Sequence, residues 1–463
     1  MPDRGLLQLP LSELAQRIER REVSPVDAVG ASLAAIEELN PTLNAFRLVL
    51  AEQAFDVARA AEAELVAGHY RGPLHGVPVA VKDLQELKGT TTPAGSIVLA
   101  DAEASEDSEA VRLLRAAGAV IVGKTHMPEF AYSPASNNHH YGPVHNPWNL
   151  ERDTGGSSSG SGAAVAAGLI WGATGSDTGG SIRMPGALCG LAGLKPTHGR
   201  VSGRGAVSLS WSFDHVGPMN RTVRDAALML DAMAGHDSGD NRTRTVPAGS
   251  YAANIEKDIV GLRVAALTDD GAGPLGTPLV LDGVAAGIEA LRAAGAVVSD
   301  LALPELSDMG LLNSVLLNIE ATAYYEGVLR ERPDDIGPWT RDRLLTAYVH
   351  SPVDYVKGQQ ARAHYRRKIE ALFEHYDVLA LPGMPHDAPP LGVNVNNTRF
   401  TGPFNLLGWP AIVIPVGLGE HGCPVALQLV ARPWRERTLL RAARTVERDG
   451  PWRDRLSPLL AGD

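Results

Sequence analysis

Two runs rich in glycine and serine stand one short element apart in this chain, and a lone lysine precedes them. The runs are GGSSSGSG at residues 155–162 and GSDTGGSIR at residues 175–183, and Lys82 ends the stretch GVPVAVK. A hydroxyl is a poor nucleophile until a neighbouring base takes its proton. A lysine can be that base only if burial or nearby positive charge lowers its pKa towards neutrality. Together the three segments predict a nucleophile, a relay and a base without any histidine.

The second run has the setting that a nucleophile needs. It follows a strand-like stretch at residues 169–174 and precedes a helix or tight turn that ends at Pro185. We expect Ser181 to supply the attacking hydroxyl. The backbone N–H groups of the run are expected to converge on one point and form an oxyanion hole; they belong to Thr178, Gly179, Gly180 and Ser181. A phosphate-binding loop is excluded because no Gly-Lys-Ser/Thr follows the glycines.

The first run allows three interpretations. Glycine–serine tracts are most often flexible linkers, but the apolar pattern at residues 163–167 indicates a buried helix directly after this one. The run also contains a literal G-x-S-x-G at residues 156–160, which would make Ser158 the nucleophile of a strand–turn–helix elbow. That elbow requires a strand just before it, and residues 146–154 have the composition of a turn. We therefore predict that Ser158 is not the nucleophile.

Lys82 stands at the end of an apolar strand pattern, where a buried lysine needs a reason. Taken alone, it is equally well explained as a surface lysine whose stem lies along the protein. The presence of all three segments in one chain favours the catalytic interpretation.

Short apolar runs alternate with helical patterns and predict the scaffold for these segments. Strand-like runs occur at residues 77–81, 119–122, 170–173, 260–265, 297–301, 378–380, 411–414 and 425–430. This alternation predicts an α/β fold with a large mixed, mostly parallel twisted sheet and helices on both faces. We expect a single domain over residues 1–463, with N-terminal helices at about 1–68, a core around the two runs at about 70–235 and a mostly helical insert at about 305–375.

Composition excludes several classes of function. The formal net charge is −11 and no basic run occurs, which argues against nucleic acid as a partner. The two cysteines lie far apart, no signal peptide is apparent at the start, and no apolar stretch is long enough to span a membrane. Cytoplasmic location without membrane association is therefore expected. His139, His140 and His145 lack a fourth partner at a recognised spacing, so we expect neither a metal site nor a cofactor.

These motifs resemble the amidase signature family of serine hydrolases. Residues 155–181 and the following CGLAGLKPT at 189–197 match the family signature almost throughout. Further matching segments are LNPTLNAF at 39–46, GKTHMPEF at 123–130, DHVGP at 214–218 and PAIVIP at 410–415. The resemblance extends over nearly the whole chain and implies that the protein cleaves C–N bonds within the amidase signature fold.

The resemblance implies a Ser–Ser–Lys triad. Ser181 matches the nucleophile, Ser157 the serine that follows a cis peptide bond, and Lys82 the base. Asp177 and Arg183 match structural supports of the nucleophile loop. The chain departs from many relatives at Thr154, where they carry proline; this position precedes the loop and does not belong to the triad.

Five apolar side chains are expected to form the walls of a substrate pocket, with ordinary core packing as the alternative. They are Met127, Phe130, Trp211, Phe213 and Trp409. Such a pocket favours a free-standing amidase for small apolar or aryl amides, with carbamates (urethanes) and esters as further substrates because they share the planar acyl centre. Its partners would be a small-molecule substrate and at most a second copy, as monomer or homodimer.

The alternative is the glutaminase subunit of a glutamyl-tRNA(Gln)/aspartyl-tRNA(Asn) amidotransferase. Such subunits commonly carry an aspartate seven residues before the NLxGxPAI stretch, which here begins at Asn405. Thr398 takes that place, so the ammonium group of glutamine would lack a charged partner. Trp409 adds apolar bulk in the same stretch, whereas Arg362 is expected to remain available for a carboxylate.

Overall fold

A sheet of eleven strands runs through the described part of the computed structural model, which comprises residues 4–244, 249–393, 395, 398–450, 452 and 455–462. The strands are β1 Phe46–Val49, β2 Pro78–Lys82, β3 Val120–Thr125, β4 His145–Asn146, β5 Asn149–Asp153, β6 Gly172–Asp177, β7 Ala192–Lys195, β8 His215–Asn220, β9 Arg263–Asp269, β10 Val297–Ala302, β11 Val378–Pro382, β12 Ala411–Leu418 and β13 Pro424–Ala431. The strand order in the sheet is β1-β3-β2-β6-β8-β7-β12-β13-β11-β9-β10, and β4 and β5 form a separate pair.

The predicted mixed sheet is confirmed, and its parallel strands lie in two groups. β3, β2 and β6 are parallel neighbours on one side, and β11, β9 and β10 on the other. Between these groups the strands β6, β8, β7, β12, β13 and β11 pair antiparallel. The expected parallel pairing occurs in these two groups, whereas the centre of the sheet and the edge pair of β1 with β3 are antiparallel.

Helices account for most of the remaining described chain. They are α1 Arg4–Gln8, α2 Leu11–Glu19, α3 Pro25–Leu43, α4 Ala51–Val66, α5 Glu109–Ala116, α6 Ser159–Ala166, α7 Arg183–Leu188, α8 Val223–Met233, α9 Pro278–Ala293, α10 Leu306–Glu331, α11 Pro338–Leu345, α12 Pro352–Leu372, α13 Gly402–Leu407, α14 Glu436–Asp449 and α15 Pro458–Ala461. Several begin where the sequence supplies a start signal. The Ser24 hydroxyl accepts the N–H of Val26 ahead of Pro25, and Ser351 and Asp354 form a capping box at the start of α12.

Both faces of the sheet are covered, as strand β11 shows. Val378 and Ala380 pack into a core formed with α2, α3, α4, α6, α8, α9 and α14, whereas Leu379 and Leu381 pack into a second core formed with α10, α12 and α13. Successive strand residues point to opposite faces, so one strand contributes to both cores. The strands of this one sheet come from residues 46–431, and we propose on this basis that the chain forms a single domain.

The helices α10, α11 and α12 lie where the helical insert was expected. Their buried side chains include Leu316, Leu344 and Ile369, which pack in the second core. This part of the chain therefore covers one face of the sheet, and residues of α10 and α11 reach the loop that carries Ser181.

Candidate active site

Lys82 lies at the carboxyl end of β2 and is completely buried. Its Nζ is 2.7 Å from the Ser157 Oγ, 2.8 Å from the Ser176 Oγ and 3.0 Å from the Ser158 Oγ. The Ser158 hydroxyl is itself a donor to the Ser176 carbonyl at 3.3 Å. A neutral amine has two N–H groups and one lone pair, so one of the other two hydroxyls is free to donate to it. The lysine is thus placed to receive a proton from Ser157.

The electrostatics favour the neutral form of this lysine. Burial lowers the pKa of Lys82 well below its ordinary value, and the carboxylates of Asp177 and Asp214 offset only part of that effect. A lysine of lowered pKa can act as a general base near neutral pH.

Sheet topology explains why Lys82 meets the second run. Strands β2 and β6 are parallel neighbours, so their carboxyl ends lie at the same edge of the sheet. Alternate residues of β6 point towards the lysine: the Thr174 Oγ1 accepts the Lys82 backbone N–H at 3.0 Å, and the Ser176 Oγ accepts from the Nζ. The chain then leaves β6 and continues directly into the loop that carries Ser181.

The first run forms the start of α6. The peptide bond between Gly156 and Ser157 is cis. A side chain at Gly156 would place a Cβ 2.5 Å from the Ala135 carbonyl oxygen, so only glycine fits there. Ser158 has no strand directly before it, because β5 ends at Asp153 and residues 154–155 are irregular.

A buried ion pair holds the loop of the second run. The Arg183 guanidinium contacts both oxygens of Asp177, at 2.9 and 3.0 Å, and also reaches the side-chain oxygens of Asn405 at 2.6 Å and Gln428 at 2.8 Å. Asp177 in turn accepts the N–H of Ile182 at 3.1 Å. Burial raises the pKa of Asp177, but the charge and hydrogen bonds of Arg183 outweigh it and lower this pKa to about 2. These contacts fit the structural role proposed for both residues.

The loop leaves its N–H groups free for a ligand. Among the described residues, none accepts a hydrogen bond from the backbone N–H of Thr178, Gly179, Gly180 or Ser181. The Gly179 carbonyl, by contrast, accepts from the Thr401 Oγ1 at 2.6 Å, and the Ser181 carbonyl accepts from the Ser158 N–H at 3.1 Å. Gly180 has a φ of 138°, and a Cβ there would lie 2.3 Å from the Thr401 Oγ1, so this position requires glycine. We propose this loop as the oxyanion hole.

Replacing Arg183 with methionine should lower the free energy of unfolding by about 3–5 kcal/mol, because it leaves the Asp177 charge buried and unpaired. Arg263→Met is the matched control, since its pair with Asp377 is largely exposed and is expected to contribute at most about 1 kcal/mol. Urea denaturation at pH 7 measures both. Equal small losses in the two variants would contradict the supporting role of Arg183.

The same pair predicts a pH dependence. The pKa of Asp177 in the folded protein, about 2, lies below its unfolded value of about 3.9. The pair therefore stabilises the fold fully above about pH 4 and loses this contribution as the pH falls towards 2. Thermal unfolding between pH 2 and 5 should show a shallower slope in Arg183→Met than in the parent.

Two neighbouring cavities lie beside Thr178. A cavity of about 30 Å³ opens over Ser181 and a larger one of about 270 Å³ borders Ser176. They share Ala131, Thr178 and Leu209. The small cavity is also lined by Tyr132, Ser133, Pro134, Gly179, Met184, Leu317, Arg343 and Thr398. The large one is also lined by Leu84, Gly203, Ala206, Val207, Ser208, Trp211, Asp214, His215, Val216, Arg242 and Tyr324.

Of the five apolar residues expected to form the pocket, one lines a cavity and four are packed in the core. Trp211 lines the large cavity and is 64% exposed. The other four are buried and line neither cavity. Met127 packs with Leu84, Ala94 and Ala131, Phe130 stacks on Tyr325 with ring centroids 4.1 Å apart, Phe213 lies under the Arg362 guanidinium, and Trp409 meets Phe373 edge-on at 4.8 Å. We therefore retain only Trp211 as a pocket residue.

The structure also corrects the expectation for Arg362. Its Nε donates to the Leu406 carbonyl at 2.6 Å and its Nη2 to the Ser212 carbonyl at 3.2 Å, and it lines neither cavity. Arg343 of α11 is the arginine at the small cavity instead. Its guanidinium stacks over the Tyr132 ring, 4.1 Å from the centroid.

The three histidines of the 139–145 segment have other contacts. The His140 Nε2 lies 2.8 Å from the Glu129 Oε1, the His145 Nδ1 lies 2.7 Å from the Leu150 carbonyl, and the His139 ring packs against that of His140. No set of three or more His, Cys, Asp or Glu side chains in the described ranges is arranged to hold a metal ion. No helix among the described residues is long and apolar enough to cross a membrane.

Comparison with known proteins defines the class. The sequence matches the family described as Amidase over residues 27–440. It is 40% identical to a glutamyl-tRNA(Gln) amidotransferase subunit of Anaeromyxobacter sp. (strain K), over 97% of this chain and 98% of the relative, and 37% identical to an amidase of Pseudomonas putida, over 98% and 99%. The structure of 6-aminohexanoate cyclic dimer hydrolase superposes with a TM-score of 0.89 at 31% identity, covering 98% of this chain and 99% of that one.

The chain therefore belongs to the amidase signature family, as its signature motifs indicated. It is a hydrolase that acts on C–N bonds.

Proposed function

We propose that this protein is a free-standing amidase that cleaves small apolar or aryl amides through Lys82, Ser157 and Ser181. The observation that carries the proposal is the buried Lys82 Nζ, 2.7 Å from the Ser157 Oγ, at the sheet edge from which the Ser181 loop emerges. Ser181 is 7% exposed and lines the small cavity, so its hydroxyl can meet a bound carbonyl.

The reaction begins with proton transfer. Neutral Lys82 takes a proton from Ser157, which takes the proton of Ser181 as its Oγ attacks the substrate carbonyl carbon. The negative charge that develops on the carbonyl oxygen is held by the free N–H groups of residues 178–181. These donors are fixed before the substrate arrives, so the site needs little reorganisation in the transition state.

The same relay then works in reverse. The proton returns through Ser157 to the amide nitrogen, the C–N bond breaks, and the amine leaves a Ser181 acyl-enzyme. Water, deprotonated through the same path, attacks the ester carbon and releases the acid. Carbamates (urethanes) and esters have the same planar centre and are further substrates in this proposal.

The apolar side chains that line the two cavities support an apolar substrate. Ala131, Leu209 and Leu317 line the small cavity, and Leu84, Val207 and Trp211 line the large one. Two buried free cysteines, Cys189 and Cys423, fit a reducing compartment, and we propose the cytoplasm as its location. In this proposal the enzyme works as a monomer or homodimer on a small molecule, without nucleic acid.

A glutaminase subunit is the second candidate. The amidotransferase relative from Anaeromyxobacter is 40% identical to this chain, and Arg343 offers a cation at the small cavity for a carboxylate. Against it, Thr398 lines that cavity where such subunits carry an aspartate, so the ammonium group of glutamine would lack a charged partner there.

A substrate panel separates the two candidates. We expect the purified chain to hydrolyse a nitroanilide with a higher kcat/KM than glutamine, by tenfold or more, because the described residues that line the small cavity include no carboxylate to pair with an ammonium group. A carbamate and an ester complete the panel.

Arg343→Met, with Arg341→Met on the same helix as control, tests the carboxylate site. Glutamine as the best substrate, with its hydrolysis lost in Arg343→Met and retained in Arg341→Met, would establish the glutaminase function instead. Nitroanilide hydrolysis that persists in both variants supports the free-standing amidase.

A further inference from the structure

An open groove of about 560 Å³ lies where β9 and β11 begin and β13 ends, beside the end of α12 and the first half of α14. Its described wall shares no residue with the two cavities beside Thr178. The wall consists of Leu262, Arg263, Phe373, Glu374, Tyr376, Asp377, Arg432, Arg435, Thr438 and Arg441. The proposed amide hydrolysis makes no use of this space, which we call the arginine groove.

The arginine groove is positively charged although the protein is acidic. Four arginines and only two acids line it, so the described wall carries a net charge of +2, whereas the whole chain carries −11. One of the acids, Asp377, is already paired: its carboxylate accepts from the Arg263 Nη2 at 2.8 Å and from the Arg263 Nε at 3.1 Å. The other three arginines therefore share the groove with a single exposed carboxylate, that of Glu374.

These three arginines have almost no partners within the protein. The side chains of Arg435 and Arg441 make no hydrogen bond and no ion pair with any described residue. Arg432 has one long contact, from its Nη2 to the Glu370 carbonyl at 3.4 Å, and its Nε is shielded from solvent with no acceptor among the described residues. A shielded N–H without an acceptor costs free energy, and a ligand that accepts from it recovers that cost.

Helix α14 arranges further donors in a row. Arg435 directly precedes the helix, and Thr438 and Arg441 follow at intervals of three residues, so all three lie along one face. The Thr438 hydroxyl makes no hydrogen bond within the described ranges. The groove therefore presents a hydroxyl between two guanidinium groups, each of which has five N–H donors in a planar fork.

This set of donors suits a phosphate group. The guanidinium fork binds phosphate oxygens in pairs, and a phosphate monoester carries close to two negative charges at neutral pH, which matches the charge of the wall. The other side of the groove is apolar or aromatic, with Leu262, Phe373 and Tyr376. That surface can contact an apolar group attached to the phosphate.

We propose that the arginine groove binds a phosphate monoester of a small apolar molecule, with its phosphate held by Arg432, Arg435 and Arg441. The site is a binding site that is separate from the amide chemistry of Ser181. The phosphate is bound and not cleaved there.

Calorimetric titration of the full chain with inorganic phosphate and with phenyl phosphate, at pH 7 and constant ionic strength, tests the site. We expect saturable binding of both probes at one site per chain, with the lower Kd for phenyl phosphate because its ring contacts the apolar wall. Parent protein that binds neither probe saturably would overturn the proposal.

Two double variants separate the groove from a general attraction of anions. Arg435→Gln with Arg441→Gln removes two charges from the groove, whereas Arg367→Gln with Arg437→Gln removes two exposed charges from α12 and α14 outside it. We expect the Kd for phenyl phosphate to rise at least about tenfold in the first double variant, because it loses two charge-assisted contacts, and to stay at the parent value in the second. An equal rise in both would contradict a specific site.

An amide assay locates the bound anion. Phenyl phosphate at saturating concentration should raise the Tm without competing with a nitroanilide for the active site, because the groove and the cavities share no described wall residue. Competitive inhibition with a constant equal to the calorimetric Kd would place the anion at Ser181 and overturn the assignment. Saturable binding that depends on Arg435 and Arg441, in a protein that hydrolyses no amide, would refute the proposed function and still support this site.

Discussion

Alanine in place of Ser181 is expected to lower kcat by about a million-fold, the loss seen when a hydrolase loses its nucleophilic serine. Without the Oγ no acyl-enzyme forms, and only the oxyanion hole and substrate binding still act on the amide. The folded state should be unaffected, because the loop is held by Arg183, Asp177 and Thr401 and the Ser181 contact in the structure is made by its backbone carbonyl. Steady-state assays with 4-nitroacetanilide measure the loss, and circular dichroism checks the fold.

Ser158→Ala is the sharpest control for this prediction. Ser158 is the central serine of the literal G-x-S-x-G, and it lies one residue from Ser157 and 3.0 Å from the Lys82 Nζ. If Ser181 is the nucleophile, Ser158→Ala should reduce kcat far less than Ser181→Ala, because it removes the hydrogen bonds of the Ser158 hydroxyl to the Lys82 Nζ and to the Ser176 backbone but leaves the nucleophile in place. It should still form an acyl-enzyme that hydroxylamine traps as a hydroxamate. A Ser158→Ala variant as inactive as Ser181→Ala would contradict the assignment.

Much of the site could be predicted because its parts are local in sequence. The glycines of the second run, the strand before it and the lysine at the end of another strand are each visible in a few residues. Ser176 was missed, although the signal was present. It stands two residues after Thr174 on β6, and the alternation of a strand places both side chains on the side of Lys82.

The substrate pocket could not be predicted in the same way. An apolar side chain such as Trp409 or Phe213 has the same hydrophobicity in a core as in a pocket, and only the packing of α12 and α13 against the sheet shows that both are buried. Arg343 lies some 160 positions from Ser181 in the chain, and the fold of the insert brings it to the cavity. No local pattern distinguishes it from Arg362, which the sequence favoured.

Which strands of the mixed sheet are antiparallel could not be predicted for a related reason. Buried strands such as β12 and β13 are apolar on both faces except for Gln428, with burial throughout most of their length. This pattern is typical of parallel strands covered by helices, and it does not report direction. The short connection between β12 and β13, at residues 419–423, is what makes them antiparallel neighbours.

Lys82→Met is expected to separate two effects of the buried lysine: its role as a base in catalysis and its influence on the stability of the fold. Methionine has a similar length and no charge, so it should keep the packing while removing the base. We expect kcat to fall by about 10²–10⁴-fold, the usual contribution of a general base. Added primary amines test the assignment further: partial rescue of Lys82→Met by methylamine, with no rescue of Ser181→Ala, would place the lost function at the proton-transfer step.

Whereas the activity of Lys82→Met should fall, its free energy of unfolding should rise relative to the parent. Burial lowers the pKa of Lys82 in the folded protein well below the unfolded value of about 10.4, so the unfolded chain binds more protons between the two values. The free energy of unfolding of the parent therefore rises with pH through this window and levels off above about pH 10.4. Methionine has no proton to lose, so the rise in Tm with pH should be smaller in Lys82→Met than in the parent.

Lys195→Met provides the comparison that isolates the site. Lys195 is also fully buried with a pKa lowered well below its ordinary value, and its Nζ contacts the backbone carbonyls of Pro196 and Trp409, away from the three serines. It should show a similar flattening of the pH dependence of Tm, but activity should fall much less than in Lys82→Met. Calorimetry from pH 6 to 10 with parallel kcat measurements tests both variants. A Tm slope in Lys82→Met as steep as in the parent would mean that the lysine is charged in the folded protein, and the proposed proton transfer from Ser157 would then lack its base.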